Sequence, residues 1–365
     1  MKGFFGLIHM SSILDSISDV KKLDSQNMLG SLERLADQIE QIDAEANEIK
    51  LPSSYKKATN VVFFGMGGSA LGAHCISSIF RNNLKLPLEI VNGYEAPGTV
   101  GKNTLVIAVS YSGGTEETLS ALEKARERGA KLVVITSGGE LEKYAKKNKI
   151  PALIFRTDNN PCGSPRMGLG YTFFGPLLIL GKLGIINVSR SDVLSAAATA
   201  RKYQKLFGQQ NNESANFAKS AAGKLLAGSV WFFGAEHLSG NAHIAANQLN
   251  ENSKRFGGYF LIPELNHHLL EGLSFPKEGL GSFFLIKSDL YSIRVQKRFS
   301  VTKEILQKNN LNFVSYRCSE KTALNQAVEF LVLSSYLGFY LAMLEGIDPT
   351  AIPNVNFLKA ALKNS

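Results

Sequence analysis

A chain of 365 residues is too long for one ordinary domain and suits two α/β lobes. Hydrophobic residues make up 44% and charged residues 19%, the balance of a globular protein with a large core. The 40 Lys and Arg against 31 Asp and Glu leave a formal charge of +9, which suits an anionic ligand but by itself reads first as an aid to solubility, while the scattering of the basic residues argues against nucleic acid.

From the N-terminus, residues 1–11 are expected to form an extension, with Met10-Ser11-Ser12 offering an alternative start. Residues 12–48 show helical spacing at Ile13, Ile17, Val20 and Leu23, then at Leu29, Leu32, Leu35 and Ile39, and read as two helices. Val61 to Phe64 is a short apolar run that ends in Gly65-Met66-Gly67-Gly68-Ser69 and a helix through Phe80. Thr104 to Val109 is a second run, ending in Ser110-Tyr111-Ser112-Gly113-Gly114-Thr115 and another helix, and Lys131 to Thr136 is a third. The same alternation returns at Ser229–Ala235, Ser282–Ile286 and Asn312–Tyr316, with helices over about 292–308 and 323–344. Apolar strands alternating with helices predict an α/β fold of two doubly wound parallel-sheet lobes with helices on both faces. The expected division is 12–210 for the N-terminal helices and first lobe, 211–347 for the second, and 348–365 for a C-terminal helix. A helix over 191–207 is a candidate bridge between the lobes.

Cys75, Cys162 and Cys318 lie too far apart for a disulfide framework or a Cys-x-x-Cys zinc site, so a reducing cytoplasm and no metal are expected. No uninterrupted apolar run approaches the ~18 residues of a membrane span, so no membrane partner is expected.

The two glycine- and hydroxyl-rich loops carry the functional signal. In an open parallel sheet, ligands bind beyond the carboxyl ends of the strands. Helix N-termini there present N–H groups and a positive dipole end to an anion. Gly67, Gly68 and Ser69 on one loop, with Ser110, Ser112 and Thr115 on the other, form a candidate phosphate cradle that needs no Lys or Arg. Each loop alone can be a capped turn, but two on successive strand ends converge on one ligand. Neither matches a nucleotide fingerprint, since the third Gly of G-x-G-x-x-G is missing and no G-x-x-x-x-G-K-[ST] occurs.

These loops resemble the phosphosugar signature of the sugar isomerase (SIS) domain family. Asn250-Glu251-Asn252-Ser253-Lys254, Pro263-Glu264-Leu265-Asn266-His267, Pro165-Arg166, Gly170-Tyr171 and Gly93-Tyr94-Glu95 are similar to the bifunctional phosphoglucose/phosphomannose isomerase family. The resemblance runs from about residue 12 to the C-terminus. It implies interconversion of glucose 6-phosphate, and of mannose 6-phosphate, with fructose 6-phosphate through an enediol, without a metal or cofactor. It implies Glu251 as the base, His267 as the ring-opening group reaching a neighbouring subunit of a homodimer, and a catalytic Lys, Lys359, on the C-terminal helix.

The residue types fit that chemistry. Proton transfer between C1 and C2 needs a base, a group to open the ring and positive charge near the developing oxyanion. Imidazole exchanges protons near neutral pH, and Arg166 and Lys359 supply charge in two different geometries. Bland readings stand beside these: Glu251 as a solvated helix end, Arg166 as a salt bridge across the lobes, Lys359 as part of a solvated face. His268 is an alternative to His267, whereas His74, His237 and His243 read as core or surface residues. Glu116 and Glu117 read as first-turn acids that satisfy the helix dipole. A non-catalytic phosphosugar sensor and an aminosugar-phosphate isomerase or deaminase are the competing functions.

Overall fold

The computed structural model describes residues 13–275 and 279–363, so the expected extension over 1–11 lies outside the described residues. In chain order the first half carries α1 (Ile17–Leu23), α2 (Met28–Leu32), α3 (Leu35–Asn47), β1 (Asn60–Phe64), α4 (Gly68–Ile79), β2 (Leu88–Val91), β3 (Thr104–Ser110), α5 (Glu116–Glu127), β4 (Lys131–Thr136), α6 (Gly139–Lys147), β5 (Ala152–Ile154), α7 (Leu169–Lys182) and α8 (Arg190–Phe207). The second half carries α9 (Phe217–Lys224), β6 (Val230–Ala235), α10 (Ser239–Asn252), β7 (Gly257–Ile262), α11 (Leu265–His268), β8 (Ser282–Ser288), α12 (Ile293–Lys308), β9 (Asn312–Cys318), α13 (Ala323–Leu344) and α14 (Pro353–Lys363).

The strands form two wholly parallel sheets, ordered β2-β1-β3-β4-β5 and β7-β6-β8-β9. Every residue of β3 is buried, which explains why it reads as a continuous apolar run rather than an alternating one. In each sheet the chain reverses its winding direction between two adjacent central strands, β1 and β3 in the first and β6 and β8 in the second. Those two crevices are where ligand sites form in such sheets.

The N-terminal segment departs from expectation, with three described helices in place of two. The Asp24 carboxylate accepts from the Met28 and Leu29 amides, and Asn27, in the left-handed region at φ 58°, caps α2 through Gly30 N–H. These local side-chain bonds stop one helix and start the next.

The proposed bridge is present as α8, which packs on α3 on one side and α13 on the other. Helix α13 is long and apolar enough to cross a membrane, with mean hydropathy 1.7 over its window, but that window is 100% buried inside the protein. It is the central core helix, packed on α8, α9 and α10.

The contact that positions the site is α4 against α10. Ser78 meets the His237 carbonyl and Gly240 N–H, a Cβ on Gly240 would sit 2.6 Å from the Cys75 nitrogen, and the His74 and His243 rings lie 4.5 Å apart. As α4 runs back toward its N-terminus, α10 runs forward. The helices are therefore antiparallel, and the C-terminal end of α10 arrives where α4 begins.

Candidate functional site

The first crevice holds all six cradle residues. The β1–α4 loop passes Gly67 at φ 48°, a backbone conformation costly to other residues, and α4 starts with no side chain capping it. Ser69 is buried, and its hydroxyl accepts from the Tyr111 amide at 2.9 Å, which ties the two loops together. On the second loop, Ser110 Oγ accepts from Gly113 N–H at 3.1 Å and lies 2.8 Å from Thr115 Oγ1. Thr115 holds the N-cap position of α5, yet its hydroxyl turns to Ser110 instead of capping. Ser112 is exposed, with its Oγ accepting from Gly114 N–H at 3.4 Å. Two helix N-termini without a side-chain cap thus face one crevice lined by hydroxyls, the arrangement that attracts a phosphate. Glu116 has a structural partner, accepting from the Tyr94 hydroxyl at 2.6 Å.

Arg166 connects this cradle to the second lobe. It lies in a short 3₁₀ turn, Pro165–Met167, which packs so tightly on the cradle that a Cβ on Gly68 would be 3.0 Å from the Arg166 backbone. The side chain is 2% exposed. Its Nε donates to Asn252 Oδ1 at 2.5 Å, its Nη2 to the Pro349 and Thr350 carbonyls at 3.0 Å each, and its Nη1 to Glu251 Oε2 at 3.4 Å. Burial pushes the guanidinium pKa down, but the Glu251 carboxylate opposes the shift. The cross-lobe salt bridge read from sequence is therefore real, and it ends on the candidate base.

Glu251 sits at the C-terminal end of α10 with its side chain 34% exposed. Burial raises its pKa above the ordinary Glu value, while Arg166, Lys254 and Lys359 pull it down, in that order. The result is a carboxylate that is partly open to solvent and faces a fixed cation. Lys359 lies on exposed α14, and its charge is close enough to act on Glu251.

His267 stands apart. No hydrogen bond, ion pair or ring contact among the described residues joins it to Glu251, Arg166 or the cradle, and it is exposed in α11 beyond edge strand β7. Its neighbour His268 is occupied, with Nε2 2.6 Å from Glu264 Oε2. Asn252, Gln248 and Lys254 carry no role legible in the sequence. Asn252 is fully buried under Arg166, Gln248 Nε2 donates to the Arg166 carbonyl at 3.4 Å, and Lys254 Nζ meets three carbonyls. Helical spacing was the available signal, because 248, 251 and 252 share one face.

The second crevice is built differently. Glu236 follows β6 at φ 44°, and its carboxylate accepts from Ser292 N–H at 3.1 Å and from the Ser292 hydroxyl at 2.7 Å, at the start of α12. Among the described residues no cluster of three or more His, Cys, Asp or Glu forms a metal site.

Comparison with known proteins places these features. Residues 54–151 match the SIS domain, and residues 211–362 match the bacterial phospho-glucose isomerase C-terminal SIS domain. The bifunctional phosphoglucose/phosphomannose isomerase of Caldicellulosiruptor bescii is 30% identical over 344 residues, covering 92% of this chain and 98% of that protein. The enzyme of the same name from Aquifex aeolicus is 29% identical, covering 83% of this chain and 90% of its own. The crystal structure of a hypothetical protein from Thermus thermophilus superposes with a TM-score of 0.74 at 18% identity, covering 98% of this chain and 95% of that one.

Proposed function

The chain belongs to the bifunctional phosphoglucose/phosphomannose isomerase family, and from that footing we propose that it interconverts glucose 6-phosphate and mannose 6-phosphate with fructose 6-phosphate. The phosphate rests on the crevice between β1 and β3, held by the backbone of Gly67 and Gly68 and the hydroxyls of Ser69, Ser110, Ser112 and Thr115. Glu251 moves the proton between C1 and C2. Arg166 Nη1, the edge of the guanidinium nearest Glu251, and Lys359 stabilise the enediolate oxygens. No electron is exchanged with a second molecule, and no cofactor enters the scheme.

The observation that carries this reading is the placement of Glu251 beside a buried, fully oriented Arg166 whose own turn packs on the open cradle. A carboxylate with a raised pKa against a fixed cation is what a proton-transfer site requires. His267 opens the sugar ring in the site of a second subunit of a homodimer. What supports that assignment is its exposure, with no side-chain partner among the described residues, in contrast to His268.

The test is to incubate the purified protein with fructose 6-phosphate in EDTA and quantify the two aldose phosphates separately. Formation of both supports a dual isomerase that uses no dissociable metal. Saturable binding without either product sinks the catalytic reading and favours a sensor. Ammonia release from glucosamine 6-phosphate would point to a deaminase instead.

A further inference from the structure

Lys254 follows the end of α10 and holds a left-handed backbone at φ 52°. Its residue surface is exposed, yet its ammonium is turned inward and donates to the carbonyls of Asn252 at 3.1 Å, Asp348 at 2.8 Å and Pro349 at 3.0 Å. An ammonium has three donors and no acceptor, so these bonds use its full capacity and leave none for a phosphate. Two of the three partners lie more than 90 residues away, which sets this apart from a local helix cap.

The target of that reach is the turn Asp348-Pro349-Thr350. Arg166 Nη2 grips the same turn, so the Pro349 carbonyl accepts from both cations. The turn is closed from within by Asp348, whose Oδ1 accepts from Thr350 N–H at 2.8 Å and whose Oδ2 accepts from the Ser25 hydroxyl. Only residues 351 and 352 separate it from α14, and Lys359 stands in the second turn of that helix. The side chains of α14 from Pro353 to Ala361 are exposed, and the clamped turn fixes the point from which the helix departs.

We propose that Lys254 is a positioning residue that, together with Arg166, fixes the Asp348–Thr350 turn and thereby sets where α14 holds Lys359 against Glu251. The inference rests on the reading of Glu251 as the base. It deepens that reading by tying three charged groups, Arg166, Lys254 and Lys359, to one mechanical element. The charged groups facing Lys254 are Arg166, Asp348 and Glu251; its pKa is pushed down to about 8, first by desolvation and then by Arg166.

The experiment compares Lys254→Met, Lys359→Met and the double variant by steady-state kinetics with fructose 6-phosphate, and by amide hydrogen exchange. Lys254→Met is expected to lower kcat by about 10–100-fold while KM changes little, because the cradle is untouched and a misplaced group costs rate rather than binding. Lys359→Met should then cost far less on the Lys254→Met background than on wild type, since residues acting through one element are not additive. The acid limb of kcat/KM should move to higher pH, because Lys254 is one of the charges that hold the Glu251 pKa down. Exchange over residues 351–362 should rise in Lys254→Met and not elsewhere. If Lys254→Met loses its native elution, Lys254→Gln, which keeps two donors, carries the same comparison. Additive losses, or unchanged exchange over 351–362, overturn the proposal. The exchange arm needs no turnover, so a wild-type chain inactive on fructose 6-phosphate would count against the functional reading and not against the clamp.

Discussion

In the first lobe the crevice between β1 and β3 ends in two helix N-termini without side-chain caps, surrounded by hydroxyls. In the second lobe the matching crevice between β6 and β8 contains the carboxylate of Glu236, bonded to the backbone and hydroxyl of Ser292 at the start of α12. The topology is the same in both, and each offers positive helix ends. In the first no side chain caps the helix ends, and in the second a carboxylate of the protein's own meets one of them. The second lobe contributes differently: α10 runs antiparallel to α4 and delivers Glu251 to the first lobe's cradle. The difference teaches that a repeated architecture does not imply a repeated site, and that a single internal anion at the crevice distinguishes the two.

The comparison can be broken in several ways, beginning with the largest expected effect. Glu251→Gln removes the proposed base and should lower kcat by roughly 10³–10⁴-fold while leaving substrate binding in place. Arg166→Met leaves Asn252 Oδ1 and the Thr350 carbonyl without their buried donor and takes one of two donors from the Pro349 carbonyl; it should destabilise the fold by about 3 kcal/mol or more in denaturant titrations, beyond abolishing activity. If Arg166→Met is as stable as wild type, the seam between the lobes is not held there. Ser110→Ala should raise KM for fructose 6-phosphate by about tenfold with a smaller change in kcat, because it unravels the bonds to Gly113 and Thr115 in the cradle alone.

The lobe seam also has a pH signature. His243 is pushed down to about 4, mainly by burial and further by His74, so it is neutral in the folded protein. The unfolded chain takes up its proton below about 6.5 while the fold resists until about 4, so stability should fall as pH drops through that window. His243→Phe should flatten the decline between pH 7 and 5 by about 1 kcal/mol, as read by melting or denaturant midpoints. The smallest effect is at the closed crevice. Glu236→Gln should cost about 0.5–1 kcal/mol of stability and add weak inorganic-phosphate binding at the start of α12, detectable as a second set of shifted amide signals. Phosphate binding confined to the first lobe in both proteins would show that Glu236 is not what closes the second.

Much of this was legible in the chain. The interior strands β1, β3, β4, β6 and β8 announce themselves because burial on both faces forces continuous apolar runs, and the edge strand β9 was read as well. The other edges were not. β2 carries Glu89, β5 is three residues long, and β7 opens with Gly257-Gly258, a pattern that reads as loop. The cradle residues were visible because each loop is contiguous in sequence and its chemistry is local. A cross-lobe salt bridge was one reading of Arg166, but its partners Glu251 and Asn252 were not visible, because 85 or 86 residues separate them from it and the antiparallel crossing of α4 and α10 brings them together. The part played by Lys254 escaped notice for the same reason, since two of its three partners are carbonyls of a distant turn. The role proposed for His267 in a neighbouring subunit leaves no trace in a single chain's contacts.

The central claim is that a base from the second lobe acts on a phosphosugar held by the first. Its most direct test is to follow fructose 6-phosphate by ³¹P NMR with wild type and Glu251→Gln, titrating binding on the same samples. The account predicts that both proteins bind and that only wild type produces aldose phosphates. Conversion by Glu251→Gln at the wild-type rate would contradict it.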